Sequence, residues 1–153
     1  MSLTLTPLQN IPLIRQDNDL ADILIAGLNS SKITLEENDI LVLAQKIISK
    51  AEGRMVNLAT VTPGERAQKL AVESEKDPRV VELMLQESKD VLRVRPGTII
   101  LEHRLGFICA NAGIDHSNVG SPLPEQGKTD IKADSAENWV LLLPQDPDAS
   151  CRA

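Results

Sequence analysis

The alternation of apolar and polar positions divides the chain into short elements. Asp17-Asn18-Asp19 supplies helix-starting side chains ahead of Leu20, Ile23, Leu24 and Leu28. That spacing places four apolar residues on one helix face. Glu37-Asn38-Asp39 marks a turn before the unbroken apolar run Ile40-Leu41-Val42-Leu43-Ala44, which reads as a strand buried on both faces. Lys46 to Gly53 reads as a short helix ended by the glycine. Met55 to Val61 reads as another strand. Thr62-Pro63-Gly64-Glu65 reads as a helix start, with Thr62 as cap, Pro63 at the first helical position and Glu65 completing a capping box. Asp77-Pro78 repeats the device ahead of Val80, Val81, Met84 and Leu85, so two successive helices are expected.

The pattern then turns to strands. Val91 to Val94 and Thr98 to Leu101 flank Pro96-Gly97, a turn signal. Leu105-Gly106 leads into Phe107 to Ala110, which extends the pair into a meander. Between Gly120 and Asn138 the chain shifts to Gly, Pro, Ser, Lys and acids, and reads as a flexible loop. Trp139 to Leu143 is a last buried strand. Pro144 to Asp148 looks like a further helix start, which suggests a piece of something longer. The expected architecture is α+β: a mixed or largely antiparallel sheet with three or four helices packed to one side.

Length and composition narrow the classes. The 153 residues suggest one domain, covering 1–153. A domain of this size hides about 68–70% of its unfolded surface, enough for a real core. With 42% hydrophobic and 25% charged residues, global disorder is excluded. Phe107 and Trp139 are the only aromatic residues of the Phe, Trp and Tyr kinds, so base-stacking platforms are excluded. A net charge of −6 argues against nucleic-acid binding. No apolar run approaches the ~20 residues of a membrane span, and no secretory signal precedes the first helix. Cys109 and Cys151 lack metal-like spacing and are read as free thiols of a reducing cytoplasm.

Three segments could carry chemistry. Lys46, Lys50 and Arg54 recur every four residues and would share a helix face just after a buried strand. They read either as a phosphate-binding patch or as a solvated face with Glu52 as counter-charge. No glycine-rich phosphate loop is present. Asn111-Ala112-Gly113-Ile114-Asp115-His116-Ser117-Asn118 follows a strand. Gly113 permits a tight bend, and Asp115 offers hard oxygens suited to Mg²⁺ or Mn²⁺. The same stretch also reads as an Asx-rich turn closing a hairpin, with His116 merely solvated. Ile11-Pro12-Leu13-Ile14 is an apolar segment stiffened by proline, compatible with an edge strand.

Together these segments resemble the coenzyme F420-0:gamma-glutamyl ligase family. The matching text is IPLI at 11–14, DILVLAQKIISKAEGR at 39–54, NAGIDHSN at 111–118, and LLLPQDPDAS running through to Ser150. The resemblance implies an enzyme that joins L-glutamate to coenzyme F420-0 with GTP, Mn²⁺ or Mg²⁺, and K⁺, through an acyl phosphate. It implies that Ile11, Pro12, Leu13 and Ile14 lie along the GTP. Gln45, Lys46, Lys50 and Asn118 would contact the nucleotide, Lys46 and Lys50 also serving catalysis. Asp115 would be a metal ligand.

The resemblance further implies a cytoplasmic homodimer, or a chain completed by a C-terminal half with further metal ligands. Gly120–Asn138 would be an insertion, and Gln45 stands where the family commonly has serine. A non-catalytic nucleotide-binding or structural module of the same family is the competing expectation. A hydrolase using Asp115 and His116 is a third, lacking a base–nucleophile pair.

Overall fold

The computed structural model describes residues 3–117, 119 and 138–152. Helix α1 spans Leu20–Ser31, with the Asp19 carboxylate accepting from the Asp22 N–H at 3.0 Å. Helix α2 spans Gln45–Ala51 and leads into strand β1, Met55–Asn57. Helices α3 (Glu65–Ser74) and α4 (Pro78–Gln86) follow as two separate helices. Strands β2 (Ser88–Arg95), β3 (Thr98–His103) and β4 (Ile108–Ala110) form an antiparallel meander. Strand β5 (Trp139–Leu141) pairs antiparallel with β1, and the short helix α5 spans Pro147–Ser150. The class is α+β, with the strands in two antiparallel sheets rather than one.

The meander forms as its pattern dictates. Arg95 pairs with Thr98, leaving Pro96-Gly97 as the two-residue turn. Side chains alternate along a strand. Ile99, Leu101 and His103 therefore share one face of β3, and all three are fully buried. Ala67 and Ala71 of α3 and Val81 and Met84 of α4 cover the two apolar ones, with Ala112 completing the cluster. A second cluster joins Leu58, Leu83, Val140 and Leu142, and Val80 and Ile114 pack against both.

Three local expectations are corrected. Ile40 to Ala44 is not a paired strand; Ile40 and Val42 are 84% and 86% exposed. Apolarity reports what would gain from burial, and among the described residues no strand pairs with this run. The β1 strand stops at Asn57, because the Asn57 side chain accepts from the Ala59 N–H at 2.9 Å and turns Leu58–Thr60 into a 3₁₀ helix. Helix α3 begins at Glu65 with Gly64 as its cap, not with Thr62 or Pro63. Its orphan donor is satisfied from α4: Glu82 accepts from the Gly64 N–H at 2.9 Å. The Asp77-Pro78 start forms as expected, with Asp77 accepting from the Arg79 N–H at 2.8 Å.

A buried ionic cluster ties the two sheets together. Glu87, between α4 and β2, is 8% exposed. Arg54 Nη2 lies 2.7 Å from Glu87 Oε2 as an ion pair, though not aligned as a hydrogen bond. Arg104 Nε donates to the same oxygen at 2.9 Å. The arginines spend their other donors on backbone carbonyls: Arg54 Nε on Leu143, and Arg104 on Pro144 and Gln145. Burial opposes ionisation of Glu87, but the two guanidiniums outweigh it and hold its pKa below the usual glutamate value.

His103 lies beside this cluster, stacked on Phe107, with Nε2 3.7 Å from the Glu87 carboxylate. Its Nδ1 accepts from the Leu105 N–H at 3.1 Å. Burial lowers its pKa below 6.5 despite the Glu87 charge, so the folded chain takes up this proton less readily than the unfolded chain. In the unfolded chain a histidine takes its proton near pH 6.5. Below that pH the unfolded state binds more protons, so stability falls with falling pH. We expect the melting temperature to drop between pH 7 and pH 5, His103 contributing at most ~1.4 kcal/mol per pH unit. Melting curves of His103→Gln should show a shallower slope over that range; an unchanged slope contradicts the assignment.

Candidate functional site

The site is built where β5 brings distant segments side by side. Met55 of β1 pairs with Leu141 on one edge, and Asp115 forms a two-way backbone bridge to Leu141, with N–O distances of 2.9 and 2.8 Å. The Leu142 N–H donates to the Arg54 carbonyl at 3.0 Å, fixing the chain just beyond α2. Helix α2 and the Asp115 loop thus approach one another across β5.

The loop itself is set by an unusual turn. Asn111, Ala112 and Gly113 have φ of 53°, 52° and 65°, three left-handed residues in a row. Alanine in that region is strained, and such strain persists only where surroundings enforce it. Here Asn111 Oδ1 accepts from the Ile99 N–H at 3.0 Å, and Ala112 is fully buried. Gly113 has a second constraint: a Cβ there would lie 2.7 Å from Leu143 Cδ1. The turn directs Ile114 into the core and Asp115 toward α2.

Lys46 and Asp115 meet. Lys46 Nζ lies 2.8 Å from Asp115 Oδ2 and donates to the Ser117 carbonyl, also at 2.8 Å. Asp115 Oδ1 accepts from both the backbone N–H and the hydroxyl of Ser117, each at 2.8 Å. The Lys46 hydrogen bond, followed by those from Ser117, outweighs burial and pulls the Asp115 pKa down to about 2. Both side chains remain partly exposed, at 32% and 26%, so the pair contributes at most about 1 kcal/mol to stability. Its value is positional. A half-exposed carboxylate, ionised at any physiological pH, shares a cation with a backbone carbonyl: a hard-oxygen arrangement of the kind divalent ions use.

The other sequence candidates fall in different places. Lys50 lies one turn along α2, and its ammonium has no hydrogen-bond or ion-pair partner among the described residues. Arg54 leaves the expected patch, because α2 ends at Ala51 and Arg54 turns to Glu87 and Leu143. Gln45 donates to Ser49 Oγ at 2.6 Å and to the Leu142 carbonyl at 3.4 Å, so it braces α2 against the strand.

In the 11–14 segment, Ile11 packs on α1, where Gly27 makes room: a Cβ there would stand 2.8 Å from Ile11 Cδ1. Ile14 is half-buried, while Pro12 and Leu13 face outward. None of the four hydrogen-bonds to Lys46, Lys50 or Asp115. Asn118 lies outside the described residues, as does the Gly120–Asn138 stretch except Asn138.

Ser117 was not singled out from sequence. The signal was present, since a hydroxyl two residues after an aspartate commonly closes an Asx turn. Removing it should loosen the carboxylate. NMR titration of the Asp115 carboxyl should show its pKa rising above about 2 in Ser117→Ala and rising further in Lys46→Met. A larger rise in Ser117→Ala than in Lys46→Met would contradict the ranking.

The chain's relationships span both segments that meet here. A family model described as F420-0:Gamma-glutamyl ligase matches residues 9–153. The coenzyme F420:L-glutamate ligase of Methanothermobacter thermautotrophicus is 37% identical over 150 residues, covering 98% of this chain and 53% of the relative. That of Methanopyrus kandleri is 38% identical over 139 residues, covering 91% and 47%. That of Archaeoglobus fulgidus is 36% identical over 150 residues, covering 98% and 51%. The chain thus spans about half the length of these curated relatives. A match this long, running through both halves of the Lys46–Asp115 site, places the chain in the F420-0:gamma-glutamyl ligase family.

Proposed function

We propose that this chain provides the N-terminal part of a GTP-dependent ligase that joins L-glutamate to coenzyme F420-0. The observation that supports it is the meeting of Lys46 with Asp115 and Ser117, the latter 71 positions away in sequence. A cationic helix face and a carboxylate loop, each ambiguous alone, form one surface suited to a phosphate and its counter-ion.

Amide formation from a free carboxylate is unfavourable in water, so the carboxylate must be activated. In the proposed reaction the terminal phosphoryl group of GTP passes to a carboxylate of F420-0, giving GDP and an acyl phosphate. The deprotonated amine of glutamate attacks the acyl carbon; the C–N bond forms as the C–O bond to phosphate breaks and inorganic phosphate leaves. Such transfers rest on positioning and charge neutralisation. Lys46 and Lys50 would neutralise phosphate oxygens. Ile11, Pro12, Leu13, Ile14, Gln45 and Asn118 would line the nucleotide.

Asp115 would hold Mn²⁺ or Mg²⁺, which when bound would offset charge on the phosphates; K⁺ belongs to the same proposal. Oxygen-rich divalent sites take about six ligands. Among the described residues no group of three or more His, Cys, Asp or Glu side chains could hold a metal ion. Further ligands would come from outside those residues, water or the phosphates included. The proposal therefore extends to a homodimer or a C-terminal half completing the site, in the cytoplasm. No helix among the described residues is long and apolar enough to cross a membrane.

Thermal unfolding with GTP and Mn²⁺, against ATP and Mn²⁺, tests the reading. A ligand at 100 times its Kd stabilises the folded state by about 2.7 kcal/mol, which for this size is roughly 5–10 °C. We expect a GTP-selective shift that Lys50→Ala and Asp115→Ala abolish. No shift, or an equal shift with ATP, contradicts the proposal.

A further inference from the structure

Resting on the reading of Asp115 as a cation ligand, we propose that the Lys46 ammonium is a built-in occupant of the cation position. A divalent ion binds by displacing it, and the displaced lysine is then free for phosphate. Asp115 Oδ1 is committed to two Ser117 donors, so only Oδ2 faces outward. That oxygen and the Ser117 carbonyl both lie 2.8 Å from Lys46 Nζ. A divalent ion would stand about 2.0–2.6 Å from the oxygens it binds. An ion that bridges these two oxygens would fall inside the space the ammonium fills, and two cations cannot share that space.

The two lysines therefore differ in role. The Lys50 ammonium has no partner among the described residues and can meet an anion at once. Lys46 spends two of its three donors on Asp115 and Ser117, so it turns fully to a phosphate when it leaves them, and its departure opens the position between those two oxygens to a metal. Each ligand thus removes the obstacle to the other, which is positive coupling between cation and phosphate. A long, flexible lysine stem permits the exchange without backbone movement.

The test is titration of the whole chain with Mn²⁺ alone, followed by electron paramagnetic resonance of the free ion, then repeated with GTP present. Lys46→Met should tighten Mn²⁺ binding about five-fold, the size of a half-exposed ion pair. Lys46→Arg should leave it weak. GTP should tighten Mn²⁺ binding more in the wild type than in Lys46→Met. Lys50→Met removes an equal charge that does not touch Asp115, and should change Mn²⁺ affinity little. If Lys46→Met does not fold, Lys46→Gln carries the same expectation without the charge. Unchanged or weaker Mn²⁺ binding in the neutral Lys46 variants, or an equal gain in Lys50→Met, overturns the exchange while leaving Asp115 as ligand. No Mn²⁺ binding by any of these proteins removes the cation reading of Asp115, and the exchange with it.

Discussion

The described structure depends on one buried carboxylate held between two arginines. Glu87 follows α4, Arg54 precedes β1, and Arg104 follows β3, so the cluster joins both sheets and the helical pair. Charge inside a protein is costly unless paired, and removing one partner strands the others. Two guanidiniums against one carboxylate leave a positive excess. The carbonyls of Leu143, Pro144 and Gln145 absorb it. The segment after β5 is thus tied to the cluster by directional bonds, which apolar contacts alone would not supply.

The site inherits its position from that tie. Leu141 bridges Asp115, and Leu142 bonds to the Arg54 carbonyl. Helix α2 and the Asp115 loop are anchored to neighbouring residues of one strand, so Lys46 reaches Asp115 with little freedom left to lose. The left-handed Asn111-Ala112-Gly113 turn is the cost of aiming the loop, and Ala112 bears it in the core. Packing and chemistry meet at Gly113, where a Cβ would be strained by the positive φ and would displace the Leu143 side chain.

Much of this was legible in the sequence where one local rule decided the outcome. The Pro96-Gly97 hairpin, the Asp77-Pro78 helix start and the buried Val140-Leu141 strand each follow from turn chemistry, capping or apolar pattern. The unread parts needed partners distant in the chain. Arg54 had the spacing of a helix-face cation, yet the helix stops at Ala51 and a carboxylate 33 positions on, Glu87, takes it. Gly64 displaced Thr62 as cap because Glu82, on the next helix, reaches back to it. Ile40 to Ala44 has the composition of a central strand, but composition carries no information about a neighbour. Lys46 and Asp115 were each legible as candidates; their meeting across β5 was not.

The central claim is that Lys46 and Asp115 form one phosphate–cation site. Mn²⁺ is paramagnetic and broadens the NMR signals of nuclei near it, so a titration with Mn²⁺ and GTP maps the ion directly. Amide signals of residues 44–48 and 114–117 should broaden first, while those around Asp146, which shares a separate acidic surface with Glu52, Ala149 and Ser150, persist longest. Broadening that begins around Asp146 and Ser150 and spares residues 114–117 would contradict the site.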